Sequence, residues 1–109
     1  MSVKLYTSTG IEIPTKFWSF PGGERGCRIE ENIIPFLVDV DFRGSDDLID
    51  MQMINDACRV LTGNLPLRAR IRYMPYARQD RVSAAGEAHS LRVAASIINS
   101  CNFTAVEIW

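Results

Sequence analysis

The chain has 109 residues, 47% of them apolar and 23% charged, with a net charge of −1. That length allows one domain that buries roughly 60–70% of its unfolded surface, and the mild acidity argues against a wholesale nucleic-acid binder, which would be basic. The cations are nonetheless unusual in kind: ten arginines, five of them between Arg68 and Arg81, stand against Lys4 and Lys16 alone. Arginine presents a planar fork suited to phosphate and carboxylate, so this local enrichment matters more than the total. Cys27, Cys58 and Cys101 form no CxxC pair, and with His89 as the sole histidine they make no zinc constellation. Cys58 and Cys101 read as buried, reduced thiols on apolar helix faces. The start, "MSVKLYTSTG", lacks a signal-peptide pattern, and the longest apolar run, "IIPFLV", is far short of the roughly 20 residues of a membrane span. A cytoplasmic protein is the expectation.

In chain order, "VKLYT" predicts a first strand and "KFWSF" a second, closed by the breaker "PGG". "CRIEE" predicts a short third strand. "PFLVDVD" is the fourth, and its near-continuous apolar centre suits a sheet covered on both faces. After Gly44, Ser45 sits where a helix N-cap belongs, with Asp46 and Asp47 in the first turn. The helix should run to about Leu61, with Met51, Ile54, Cys58 and Leu61 on one face and Gly63 as its stop. "LRARIRYM" alternates as a strand, with Leu67, Ala69, Ile71 and Tyr73 on one side. Pro75 removes a backbone donor, biases Met74 towards extended backbone and should end the strand. "SLRVAASIINSC" repeats the helix pattern, with Ser90 as cap and Leu91, Ala94, Ile98 and Cys101 on one side, and His89 before it reads as simply exposed. The last segment, "AVEIW", is a strand with no closing turn.

Strands followed by helix, strand, helix and strand imply βαβ crossovers, hence an α/β fold with a mostly parallel sheet and flanking helices. Ligands of such sheets gather at the carboxyl ends of strands, where the "PYARQDR" loop lies. That loop offers Arg78 and Arg81 for phosphate oxygens, Gln79 for a base edge or ribose hydroxyl, and Asp80 to orient an arginine or sit near a metal ion. The plainer alternative is an arginine–aspartate clamp that holds the loop and binds nothing. There is no GxxxxGK[ST], no GxGxxG opening a helix and no nucleophile motif, which excludes the P-loop and dinucleotide fingerprints. "FLVDVDFRG" is superficially like the acidic ribose-phosphate motif of phosphoribosyltransferases, but it continues into "SDDL" rather than into threonine and glycine turns.

Three segments taken together, "FPGGE", "DDLIDMQMINDACR" and "RYMPYARQDR" followed by "GEAHSLRVAASII", resemble the N-terminal half of ribose-phosphate pyrophosphokinase over nearly the whole chain from Phe20 onwards. The resemblance implies a phosphoribosyltransferase-like N-terminal domain over residues 1–109, the ATP-side part, with the C-terminal ribose-phosphate-binding domain absent from this chain. It implies an enzyme that moves the diphosphoryl group of Mg-ATP to the C1 hydroxyl of ribose 5-phosphate, making phosphoribosyl pyrophosphate for nucleotide biosynthesis. Arg78 and Gln79 would touch ATP, with Asp80 in the same ATP-binding loop and Arg81 as a phosphate contact. Phe20 and Glu24 would reach the adenine from a neighbouring subunit of a homo-oligomer. Mg2+ would arrive with ATP, and neither a catalytic residue nor a metal ligand falls in this chain. No membrane or nucleic-acid partner is implied.

Two departures stand out. The family's middle acid in the first motif is Gly22 here, which bears on nucleotide preference. Arg68, Arg70 and Arg72 alternate in a strand that the family keeps more uniformly apolar; their face is solvated, paired with carboxylates, or holds a partner. A non-catalytic nucleotide-binding or assembly relative is the alternative function, and an RNA-binding module a third. Because "AVEIW" stops inside an apolar strand, the 109-residue chain alone is expected to be inactive.

Overall fold

The computed structural model describes residues 2–76 and 85–109. Seven strands and two helices follow one another as β1 (Val3–Tyr6), β2 (Glu12–Ile13), β3 (Thr15–Ser19), β4 (Arg25–Ile29), β5 (Leu37–Asp41), α1 (Asp46–Thr62), β6 (Arg68–Arg72), α2 (Ser90–Ser100) and β7 (Ala105–Ile108). The main sheet has the order β2-β1-β5-β6-β7, and β3 with β4 forms a separate hairpin. β5, β6 and β7 are parallel neighbours, whereas β1 is antiparallel to both β5 and β2. Four of the five strands therefore run one way, as expected of an α/β chain. β2 went unforeseen because two residues carry no periodicity. It forms because Gly10, at φ +86, closes a turn in which the Thr7 carbonyl accepts from Gly10 N at 3.0 Å and Ile11 carbonyl accepts from Thr7 N at 2.9 Å.

The period of two sorts the sheet into unlike faces. Val3, Leu5, Val38, Val40, Leu67 and Ile71 join Leu48, Met51, Ile54 and Cys58 of α1 and Ala94 and Ile98 of α2 in one core. The hairpin folds over α1, with Phe17, Cys27 and Ile29 packed against the same core. Leu61, placed by its spacing on the buried face of α1, is instead 38% exposed, because the face ends one turn earlier at Cys58. β5 is buried on both faces along its middle, as expected, but one of those faces is polar. Its middle residue, Asp39, points to the opposite side, where Lys4, Asp39, Arg70 and Glu107 stand in register across four strands.

The helix ends follow local chemistry only in part. Gly63 takes the left-handed conformation at φ 65 and donates to the Arg59 carbonyl, as a glycine stop should. The Arg59 side chain then donates to the carbonyls of Cys101 at 3.2 Å and Asn102 at 2.9 Å, tying the end of α1 to the end of α2. Ser45 stands at the N-cap position of α1 but makes no capping bond. Asp47 instead reaches back to the loop before the helix, its Oδ2 accepting from Arg43 N at 2.8 Å and Gly44 N at 3.2 Å, which fixes the entry of the chain rather than capping the first turn. In α2 the cap is His89 rather than Ser90, again without a side-chain bond. His89 is half-buried, not exposed, and its Nε2 is buried with no hydrogen-bond partner among the described residues. β6 stops at Arg72, before Pro75, because Tyr73 turns left-handed at φ 58. That turn carries the Tyr73 ring out of the apolar row expected for it, leaving it 74% exposed.

His89 has φ −86 and ψ 90, the extended geometry of an N-cap. His89→Asp should therefore supply the missing acceptor, remove a stranded nitrogen and favour the helix dipole, raising stability by about 1 kcal/mol in urea denaturation. An unchanged or lower midpoint would contradict this.

Burial pushes the Cys27 thiol from 9.0 up to about 11 and the Cys58 thiol up to about 12. The folded state thus holds these protons more tightly than the unfolded chain does. The stability they contribute is complete below pH 9.0 and should be lost as pH rises through 11 to 12. Denaturation midpoints measured between pH 8 and pH 11 should fall above about 9 in the wild type and fall less in Cys58→Ala.

Candidate functional site

The segments that follow β5 and β6 emerge side by side at the carboxyl edge of the sheet, and the Phe42 N–H bonds the Arg72 carbonyl at 3.3 Å. Phe42, Arg43, Gly44 and Ser45 form one wall of a cleft of about 320 Å³, and Tyr73, Met74, Pro75 and Tyr76 form the other. Tyr73 at φ 58 and Tyr76 at φ 60 both occupy left-handed backbone that bulky side chains rarely adopt. The Tyr76 and Ser45 hydroxyls hydrogen-bond each other across the cleft, so the residue expected to cap α1 instead ties the two walls together. The same two residues border a second, more apolar cavity of about 400 Å³ that runs between α1 and α2 past Ile49, Val93 and Ile97. Arg78, Gln79, Asp80 and Arg81 lie outside the described residues, which stop at Tyr76 on this wall and resume at Ala85.

Phe20 and Glu24 come together at the tip of the hairpin. The Phe20 N–H donates to the Glu24 carbonyl at 2.7 Å and the Gly23 N–H to the Phe20 carbonyl at 2.8 Å. Phe20 is 48% exposed, and its ring meets Trp18 edge-on at 5.8 Å. Gly22 has a direct structural consequence: a Cβ there would fall 2.6 Å from Glu24 Oε1. The Glu24 carboxylate therefore fills the space in which an acidic side chain at position 22 would begin. On the same outward side of the stem, Lys16 and Arg28 are direct cross-strand partners, both exposed. Gly26 is Trp18's partner and lies beneath its indole, where a Cβ would come within 2.4–2.7 Å of ring atoms.

Sequence reasoning missed the ion pair that anchors this hairpin. Arg25 donates from Nε to Asp50 Oδ1 and from Nη2 to Oδ2, both at 2.8 Å, and from Nη1 to Ser19 Oγ at 3.1 Å. Asp50 is 7% exposed, and the bond to it, ahead of a smaller opposing burial effect, raises the pKa of Arg25. A signal was available: Asp47, Asp50, Met51 and Ile54 share a helix face at spacings of three and four, which places carboxylates beside core residues.

The alternating arginines of β6 are largely settled by a carboxylate. Asp39 accepts from Arg70 Nε at 3.2 Å and pairs with Arg72 through both its oxygens at 3.3 Å. Both guanidiniums also lie 5.3 Å from the ring centroid of Trp109, and Arg68 sits 5.9 Å from that of Phe36. Beside this network a polar hollow of about 210 Å³ is lined by Ser2, Lys4, Tyr6, Asp41 and Arg43 together with Asp39 and Arg72. Among the described residues no group of three His, Cys, Asp or Glu could hold a metal ion, and no helix is long and apolar enough to cross a membrane.

Gly26→Ala should destabilise the chain by about 1–3 kcal/mol through overpacking against the Trp18 indole. Most of that penalty should vanish when Trp18 is also changed to Ala. A double-mutant cycle in urea with no coupling between the two positions would contradict the contact.

No family model matches the sequence. Over 86 residues, 77% of the chain, it is 37% identical to a ribose-phosphate pyrophosphokinase of Pyrococcus furiosus, and the matched span is 29% of that relative's length. The fold superposes on the crystal structure of a phosphoribosylpyrophosphate synthetase from Mycobacterium smegmatis with a TM-score of 0.70. That match covers 88% of this chain and 39% of the other at 18% identity, so it speaks for the fold alone. Two comparisons thus support the resemblance carried by the three sequence motifs: the chain is similar to part of a ribose-phosphate pyrophosphokinase, in sequence over most of its length and in fold over nearly all of it.

Proposed function

We propose that this chain is the ATP-side part of a ribose-phosphate pyrophosphokinase, an enzyme that transfers the β,γ-diphosphoryl group of ATP to the C1 hydroxyl of ribose 5-phosphate. The observation that carries the reading is the cleft at the carboxyl ends of β5 and β6, from whose wall at Tyr76 the "YARQDR" loop departs. Arg78 and Gln79 bind the nucleotide from this loop, Arg81 adds a phosphate contact and Asp80 orients the arginines. Phe20 and Glu24 meet the adenine of a neighbouring subunit's site, which their exposure at a projecting tip supports. With Gly22 lacking a side chain, Glu24 is the sole carboxylate that the tip offers to the base.

The chemistry asked of such residues is positioning and neutralisation. Attack of the C1 oxygen on the β-phosphorus breaks the bond to the α-phosphate oxygen and releases AMP, with the hydroxyl proton lost to solvent or a base outside this chain. Guanidiniums that hold the phosphates lower repulsion towards the incoming oxygen and fix its line of approach, and such positioning can supply about 7–11 kcal/mol. Magnesium belongs to the substrate, entering with ATP and spreading the charge of its phosphates. The competing reading, a non-catalytic nucleotide-binding or assembly relative, draws on Gly22, which stands where the family motif carries an acid. Release of AMP that depends on ribose 5-phosphate, assayed in the full-length protein, separates the two.

Arg78→Ala is expected to weaken Mg-ATP binding by about tenfold to a hundredfold, the equivalent of losing ~1.5–3 kcal/mol for a charge-assisted bond. Titration calorimetry returning an unchanged dissociation constant would remove the loop from the site.

A further inference from the structure

The hairpin tip hangs from a single strand pair. Ser19 and Arg25 are the last partners in register before residues 20–24, and the Arg25 guanidinium touches both its cross-strand partner and α1. Its two bonds to Asp50 form a planar fork, which fixes orientation as well as distance, whereas the apolar contacts of Phe17, Cys27 and Ile29 lower in the stem allow sliding. No other carboxylate on α1 shares the grip. Asp47 is occupied by the amides of Arg43 and Gly44, and Asp46 attracts Arg25 only at longer range. The helix that holds the fork begins at the cleft, where Ser45 and Asp46 border its cavities.

We propose that Asp50 is a positioning residue for nucleotide binding: through Arg25 and Ser19 it sets the attitude of the Phe20–Glu24 tip relative to the helix that opens at the carboxyl-edge cleft. One subunit's cleft and the tip it lends to its neighbour are then joined by one rigid lever, α1 with the fork on its second turn. The inference rests on the shared-site reading given under Proposed function.

The test uses Asp50→Asn in the full-length oligomer, a change that keeps the shape of the side chain and removes its charge, alongside Arg25→Lys, which keeps the charge and removes the fork. Both homo-oligomers should bind Mg-ATP about tenfold more weakly with unchanged far-ultraviolet circular dichroism. Chain mixing then separates positioning from general damage. Mixed with Arg78→Ala chains, Asp50→Asn chains should regain tight sites, because an intact cleft meets an intact tip. Mixed with Phe20→Ala, Glu24→Ala chains they should regain none, because both available tips are defective. Wild-type affinity in the Asp50→Asn homo-oligomer would overturn the proposal, and so, where the control mixture below forms tight sites, would rescue by both mixtures or by neither. A control mixture of Arg78→Ala with Phe20→Ala, Glu24→Ala chains shows separately whether sites are shared. If that control gives no tight sites, the shared-site reading fails, and hydrogen exchange decides about the fork. Faster exchange at Phe20 and Gly23 in Asp50→Asn supports it, and exchange as slow as in wild type overturns it.

Discussion

Parallel pairing of β5 with β6 is the constraint on which the site depends. Two parallel neighbours cannot be joined by a hairpin, so the chain must cross back, here through α1, before the second strand begins. Whatever follows each strand is then delivered to the same edge. For this chain that brings Phe42–Ser45 opposite Tyr73–Tyr76, and the hydroxyl contact between Ser45 and Tyr76 closes the gap between them. The described wall ends at Tyr76, just before Arg78 and Gln79 in the sequence. The cleft walls supply the frame, and two tyrosines in left-handed backbone show that the frame holds against local preference.

A second constraint is electrostatic. Asp39 sits in the middle of the central strand with its side chain 9% exposed, flanked by valines that face the helices. A carboxylate so placed is tolerable only if it is paired and bonded, because desolvating a lone charge is far more costly than any single contact returns. Arg70 and Arg72 meet that need from the adjacent strand, and Lys4 and Glu107 extend the alternation of sign to either side. Cross-strand pairs of opposite sign favour this register, whereas a slip of one residue would turn the charges into the apolar core. The polar face thus helps to specify strand alignment, and it explains why Arg70 and Arg72 alternate through a strand beside an otherwise apolar run.

The hairpin shows the same logic on a smaller scale. Its inner side is held by apolar contacts and the Arg25–Asp50 fork, in which the carboxylate is nearly buried and the guanidinium keeps one side in solvent. Its outer side sets Lys16 directly against Arg28, an unfavourable neighbour pair, and keeps Gly26 bare so that the Trp18 indole lies against the strand. One side is built for attachment and the other for display, which suits an element whose exposed tip is proposed to act elsewhere.

The amino-acid sequence by itself determined what near neighbours control. The α1 span and its glycine stop, the apolar rows of β5 and β6, the break near Pro75 and the projecting tip at Phe20–Glu24 were all legible in it. These depend on periods of two or 3.6 and on residues with restricted backbone, which act over a few positions. Only the tertiary structure decided the reversed direction of β1, the pairing of Arg25 with Asp50 and of Asp39 with Arg70 and Arg72, the bond of Ser45 to Tyr76 in place of a cap on α1, and the outward turn of Tyr73. An alternating strand reads the same whichever way its neighbour runs. A carboxylate on a helix likewise carries no record of which of ten arginines, up to dozens of positions away, the fold will bring beside it.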